Sequence, residues 1–272
     1  MHPRLPWDAR FTLRSAAFAP LEGVLARLDT SRWPDRQALQ RLIDERGIAT
    51  ASGSLLRLAT AVQGHGQAPK PYELRIFENG EVAHRSEDWH DFFNALAWLT
   101  FPAGKAALNA RHVRELARAQ PGRRGPVRDA LTLFDEEGVL VASSDELTLQ
   151  LVREFRWKEL FWDRREPLRA HTRFVVFGHA LYQKALQPFV GMVGRALLMH
   201  IDGGLLDSDL DQELAALDVR LASVLSAEHV IRSPADVPPL PVLGIPGWFE
   251  AGEREAFYDD RNYFRPRRSR GA

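Results

Sequence analysis

The chain has 272 residues, of which 45% are apolar and 26% are charged. This composition favours a soluble globular protein and excludes collagen-like, coiled-coil and largely disordered chains. Basic and acidic residues balance at 36 each, so the surface as a whole is not built to bind nucleic acid or acidic membranes. The sequence contains no cysteine, which excludes disulfides, thiolate metal sites and a cysteine nucleophile.

The first residues and the most apolar stretch both argue against export and membrane insertion. Residues 1–8 contain prolines and an acid in place of the apolar run of a signal peptide. Residues 174–206 carry charges in every window long enough to span a bilayer. We therefore expect a cytoplasmic protein without a membrane span. Its 32 arginines against 4 lysines are typical of a GC-rich bacterial genome.

Residues 1–66 are predicted to form a helical extension. Four apolar residues recur there at helical spacing: Leu21, Val24, Leu25 and Leu28. Asp35 is a cap residue ahead of a second helical run, which stops at Gly47. The glycine-rich and proline-rich residues 63–71 then predict a flexible connector into a main domain at 67–264.

Two segments of the main domain are predicted to be β-hairpins. In the first, residues 72–77 alternate in polarity, and Asn79-Gly80 supplies a type I′ turn before the return strand. In the second, residues 130–134 lead over an acidic turn into residues 139–142.

Helices are predicted over residues 89–100 and 103–119, and a longer one from Leu147 to Phe161. Residues 173–177 are predicted to form a short buried strand. Gly178-His179 follows as a strand-to-helix turn.

The carboxy-terminal third begins with a capping pattern and ends in aromatic residues. Ser208 and Asp211 predict the start of a helix, the proline-rich residues 234–246 are expected to cross the surface extended, and residues 265–272 form a basic tail. The predicted class is α+β, with two β-hairpins, a short further strand, several amphipathic helices and an extended proline-rich wrap.

The helix predicted from Trp89 carries the first candidate site. Its core face gathers aromatic and leucine side chains, whereas the opposite arc holds His90, Asp91, Asn94 and Trp98. Imidazole, carboxylate and amide groups hydrogen-bond or coordinate specifically, so His90, Asp91 and Asn94 are candidate catalytic residues. The alternative is that they satisfy buried backbone groups.

Two further groups extend this candidate site. Lys105 and Asn109 share one stripe of the next helix and, with Trp98, are predicted to bind substrate in a common cleft. The same stripe is also compatible with a solvated face. His179, at a strand-to-helix turn, is the fourth candidate catalytic residue, although a structural histidine remains the alternative.

Several separated motifs resemble one uncharacterised family. They are residues 89–102 with Lys105 and Asn109, 129–138, 177–181, and 239–248 with 257–260. In this order they are similar to the uncharacterised proteobacterial domain-of-unknown-function family 3025, over about Tyr72 to Pro266. The resemblance implies no established activity, substrate or cofactor.

A hairpin leading into the helix at Trp89 is also similar to the ββα-metal nucleases, which use a histidine base, an orienting asparagine and a metal. The resemblance implies His84, Asn94 and Asn109 as counterparts.

Three functions therefore remain open. The first is an enzyme with a polar His/Asp/Asn site in a cleft. The second is a non-catalytic binding or assembly protein that uses the proline-rich, aromatic carboxy-terminal segment, with Trp248 as its anchor. The third is a ββα-metal-like phosphodiesterase. Nucleotide-binding and hydrolase motifs are absent from the sequence, so the cofactor and any metal stay unassigned. The expected partner is a small molecule or a protein, and neither nucleic acid nor a membrane.

Overall fold

The computed structural model describes residues 5–60, 70–119 and 125–267. The fold class is α+β, as the sequence predicts. The α-helices of the described residues are α1 (Glu22–Leu25), α2 (Arg36–Glu45), α3 (Tyr72–Asn79), α4 (Trp89–Thr100), α5 (Pro102–Arg118), α6 (Pro126–Glu137), α7 (Glu146–Glu154), α8 (Arg165–His171), α9 (His179–Ala185) and α10 (Leu210–Ser226). The strands are β1 (Arg57–Ala59), β2 (Glu81–Ala83), β3 (Gly138–Ser143), β4 (Thr172–Val176), β5 (Val193–His200) and β6 (Pro239–Pro241). Most of the predicted connector, and the end of the predicted basic tail, lie outside the described residues.

The larger sheet has the strand order β4-β3-β5-β6. Strand β3 pairs antiparallel with β4 and parallel with β5, and β5 pairs antiparallel with β6. Every residue of β3 is buried, as expected for a central strand covered on both faces. Strands β1 and β2 form a separate parallel pair.

The first predicted hairpin is wrong, because residues 72–79 form helix α3. Gly80 ends this helix with a left-handed φ of 69°. The Asn-Gly pair that suggested a hairpin turn thus serves as a helix C-cap, which requires the same positive φ. Strand β2 follows directly and pairs with β1, not with the preceding segment.

The second predicted hairpin is also wrong, because its first strand lies in helix α6. Ala130, Leu131 and Phe134 form the buried face of this helix, and their spacing is helical. Short apolar runs do not distinguish a strand from a buried helix by periodicity alone. The second predicted strand is confirmed as β3, which begins at Gly138 where α6 ends.

Other predicted elements are confirmed. The helices α4 and α5 meet at Phe101 and Pro102, and the strand at 173–177 is β4. The long helix predicted to reach Phe161 is wrong, because Phe155 takes a left-handed φ of 59° and ends α7. Strand β5 was not predicted.

The proline-rich segment is not simply extended, since it forms β6 and short 3-10 turns. Its apolar residues are buried, as expected for residues that pin it to the core: Leu240, Val242, Leu243 and Ile245. Trp248 is only 8% exposed. The binding or assembly hypothesis required Trp248 as a surface anchor, so its placement removes that support.

An aromatic cluster fixes the position of α4. Trp7 stacks on Trp89 at 4.9 Å between ring centroids, and Phe18 stacks on Phe93 at 6.1 Å. The amino-terminal segment therefore shares the core of α4 and holds its aromatic face inward. Residues on the opposite face of α4 line a cavity together with residues of α5, α6 and α9. No helix in the described part of the chain combines the length and apolar character needed to cross a membrane.

Candidate functional site

Helices α3, α4, α5, α6 and α9 contribute side chains to one cleft of about 230 Å³. All seven residues proposed from the sequence line it: His90, Asp91, Asn94, Trp98, Lys105, Asn109 and His179. The polar stripes of α4 and α5 therefore face a common cavity. The catalytic and binding roles of these residues remain predictions.

Lys105 is a buried cation in the wall of the cleft. Its Nζ donates to Asn94 Oδ1 at 3.0 Å and to Asp135 Oδ1 at 2.5 Å. It also lies 5.6 Å from the centroid of the Trp98 ring, a cation–π distance. With a side chain 5% exposed, Lys105 does not lie on a solvated face, which excludes that alternative.

Asp135 is the charged partner of Lys105. Burial raises the pKa of the Asp135 carboxyl, but the Lys105 ammonium outweighs burial and holds the pKa at about 2. The Asp135 carboxyl is therefore ionised at neutral pH. The sequence predicts Asp135 to lie in the turn of the second hairpin. The structure places it in helix α6 instead.

Two histidines meet at Glu136 beside this ion pair. His90 Nε2 lies 3.4 Å from Glu136 Oε2, and His179 Nε2 lies 3.5 Å from the same oxygen. The two imidazole rings are 4.5 Å apart at their centroids and nearly perpendicular. Glu136 thus joins residues from α4 and α9 that are far apart in sequence.

The two histidines have opposite electrostatic surroundings. The Asp91 and Glu136 carboxylates beside His90 raise its pKa to about 9, whereas burial lowers the pKa of His179 to about 4. An imidazolium and a neutral imidazole therefore lie side by side at neutral pH.

Asp91 lies behind His90 and holds its ring. His90 Nδ1 is 3.3 Å from Asp91 Oδ1. The Asp91 carboxylate also accepts from Arg85 Nε at 2.7 Å and from Arg85 Nη2 at 2.9 Å. Burial raises the pKa of Asp91, but the hydrogen bond from Arg85 prevails and keeps that pKa well below its usual range.

The two asparagines attach helix α3 to the cleft. Asn94 Nδ2 is 3.4 Å from the Tyr72 hydroxyl, and Asn109 Nδ2 donates to the Glu73 carbonyl at 2.8 Å. The Asn109 Oδ1 atom is buried without a hydrogen-bond partner among the described residues. It therefore leaves an acceptor for a bound molecule.

A family model described as "Protein of unknown function (DUF3025)" matches residues 59–268. The chain belongs to the DUF3025 family. The match agrees with the resemblance seen in the sequence and covers every residue that lines the cleft. No curated protein and no solved structure matches the chain.

Sequence reasoning missed Tyr72, Asp135 and Glu136 of this DUF3025 cleft, because each fell in a predicted hairpin. A helical interpretation of residues 126–137 would have found two of them. At helical spacing, Thr132 shares a face with Asp135 and Glu136, opposite the apolar face of α6.

The nuclease resemblance lacks its structural basis in this DUF3025 chain. Helix α3 and the three-residue strand β2 precede α4 in place of the hairpin that those enzymes require. Asn94 and Asn109 do line the cleft, but His84 is not among its lining residues.

His84 is instead expected to make stability pH-dependent. It is 3% exposed, and neither ring nitrogen has a hydrogen-bond partner among the described residues. Burial lowers its pKa, so the unfolded chain binds the proton more readily. Stability from this group is present above the ordinary histidine pKa and is lost as the pH falls below it.

Replacing His84 with methionine removes this titration. Between pH 7.5 and 5.5, we expect wild type to lose up to about 1.4 kcal/mol more unfolding free energy than His84→Met. Urea denaturation of both proteins in the same buffers measures the difference. Equal losses in the two proteins would contradict the prediction.

Proposed function

We propose that this DUF3025 protein is an enzyme that acts on a small polar molecule in the cleft, within the bacterial cytoplasm. One observation carries the proposal, namely the meeting of His90, Lys105 and His179 from three helices at a single cavity. Isolated ionisable groups are seldom buried, and their concentration in a cleft is typical of functional sites. The family resemblance and the arginine-rich composition support the bacterial setting.

The dimensions and chemistry of the cleft favour a small polar substrate. A cavity of about 230 Å³ suits a compact metabolite better than a polymer segment. The Lys105 ammonium has three N–H groups and donates to Asn94 and Asp135, so it offers a further donor. Asn109 offers a buried acceptor. The Trp98 ring supplies an apolar wall on which a substrate can pack.

Buried charge in the wall also favours function over stability. The Lys105–Asp135 pair is largely removed from water, and a buried ion pair contributes little net stability compared with apolar residues of similar volume. We infer that the pair is retained because it presents a fixed charge to the substrate.

Metabolite conversion tests the proposed function. Wild type incubated with a bacterial metabolite extract is expected to consume at least one small polar compound, as detected by mass spectrometry. Asn94→Ala and Asn109→Ala are expected to slow this conversion by about 100-fold, the effect of misplacing a substrate by about 1 Å.

Asn262→Ala is the matched control, because Asn262 is an exposed asparagine outside the cleft. It is expected to retain the wild-type rate. Unchanged extract after incubation with wild type, or full activity in both cleft variants, would overturn the proposed function.

A further inference from the structure

We propose that His90, Glu136 and His179 bind a divalent transition-metal ion in the cleft. This proposal extends the proposed function by naming the cofactor that the same cavity would use. The three residues offer two imidazole nitrogens and one carboxylate oxygen, and these ligand atoms all lie within 4.8 Å of one another. Such a nitrogen and oxygen set suits zinc and related first-row metals.

The distances fit a metal better than they fit ordinary hydrogen bonds. His90 Nε2 and His179 Nε2 lie 3.4 Å and 3.5 Å from Glu136 Oε2, beyond the usual N–H···O range of about 2.7–3.2 Å. At zinc bond lengths of about 2.0–2.2 Å, neighbouring ligands of a tetrahedral ion stand about 3.3–3.6 Å apart. The two nitrogen–oxygen separations therefore already match two of the ligand–ligand distances of a tetrahedral zinc site.

His90 is held in the orientation that a metal ligand needs. Its Nδ1 faces the Asp91 carboxylate, which Arg85 fixes through two guanidinium hydrogen bonds. When a metal displaces the proton from Nε2, the proton kept on Nδ1 leaves the Nε2 lone pair free to coordinate it. This carboxylate–histidine–metal arrangement is a recurrent way to orient a ligand and to increase its basicity.

His179 supplies the second, independent observation. Its side chain is 4% exposed, and its Nδ1 has no hydrogen-bond partner among the described residues. Buried polar groups without a partner are rare and require an explanation. A neutral imidazole carries one proton, so with that proton on Nδ1 the Nε2 lone pair, 3.5 Å from Glu136 Oε2, is available to a metal.

A second grouping, in which Asp88 and Asp91 join His90, is less suited to a metal. The Asp91 oxygens are already engaged by Arg85, so its carboxylate is neutralised. The Glu136 carboxylate is instead 38% exposed and opens on the cleft. A metal with three protein ligands keeps a position for water or substrate and acts as a Lewis acid.

Calorimetric titration tests the site without a substrate. The full chain, treated with EDTA and then dialysed, is titrated with zinc chloride. We expect one zinc ion per chain with a micromolar or tighter dissociation constant. Asp91→Asn is expected to weaken binding by about 10–100-fold, as for an outer partner, and His90→Gln or Glu136→Gln to weaken it further.

His200→Gln is the matched control. His200 lies 3.8 Å from a Glu146 oxygen and belongs to no three-ligand group among the described residues. This variant is expected to keep the wild-type affinity, and thermal melting verifies that each variant is folded. Wild type that binds no zinc, or unchanged affinity in both His90→Gln and Glu136→Gln, would overturn the metal site. Neither result depends on metabolite conversion, so the two proposals can fail separately.

Discussion

Asp135→Asn is expected to lower the free energy of unfolding by about 3–5 kcal/mol, because it leaves a buried ammonium without its counter-charge. The Lys105 side chain is 5% exposed, so water contacts replace little of the lost interaction with the carboxylate. Its remaining contacts are Asn94 Oδ1 and the faces of Trp98 and Phe177. Urea denaturation at pH 7 measures the loss, since the pKa of Asp135 at about 2 keeps its carboxylate ionised there.

The double variant Lys105→Met and Asp135→Asn distinguishes the effect of the unpaired charge on stability from the effect of altered packing. Removing both charges eliminates the unpaired ammonium, so the double variant is expected to recover most of the loss. Asp259→Asn is the matched control, because Lys158 pairs with Asp259 at 2.8 Å on the surface. It is expected to cost less than about 1 kcal/mol. Equal losses of unfolding free energy in Asp135→Asn and Asp259→Asn would contradict the conclusion that Lys105 depends on Asp135 as its buried counter-charge.

Gly178→Ala is expected to destabilise the protein by at least about 3 kcal/mol, the upper part of the range for overpacking. A Cβ at Gly178 would lie 2.4 Å from the Gly138 backbone nitrogen and 2.5 Å from the Glu136 carbonyl oxygen. Both atoms belong to the backbone and cannot rotate away. The Gly178 φ of −72° is ordinary, so the effect arises from lack of space.

The close approach at Gly178 also places His179 against Glu136. The Gly178 amide donates to the Gly138 carbonyl at 3.0 Å, which joins the start of α9 to the end of α6. The folded fraction of Gly178→Ala is therefore expected to bind zinc more weakly. Gly125→Ala is the matched control, since its φ is −83° and no atom lies within 4 Å of an added Cβ. A stability equal to that of Gly125→Ala would contradict the prediction.

The sequence was sufficient to predict the α4 and α5 contributions to the cleft. His90 and Asn94 are four residues apart and lie opposite Phe92 on one helix, and Lys105 and Asn109 repeat that spacing on the next. Helical periodicity determines such faces without tertiary information. The Phe101-Pro102 junction then turns α5 back, so that Lys105 reaches Asn94 at 3.0 Å.

The remaining part of the site depends on tertiary contacts that local patterns do not encode. Residues 130–134 fit a strand as well as a buried helix turn, and packing decides for the helix. In helix α6, Asp135 and Glu136 line the cleft, whereas the predicted hairpin placed them in a turn. Glu136 meets His179 because Gly178 permits the backbones to approach, a relationship between segments about 40 residues apart.

A crystal of the zinc-loaded protein, measured on both sides of the zinc absorption edge, tests most directly whether His90, Glu136 and His179 form one centre in the cleft. We expect an anomalous difference peak about 2.0–2.2 Å from the two Nε2 atoms and from a Glu136 carboxylate oxygen. Three side chains that lie apart in the electron density, with no anomalous peak between them, would contradict the proposed centre.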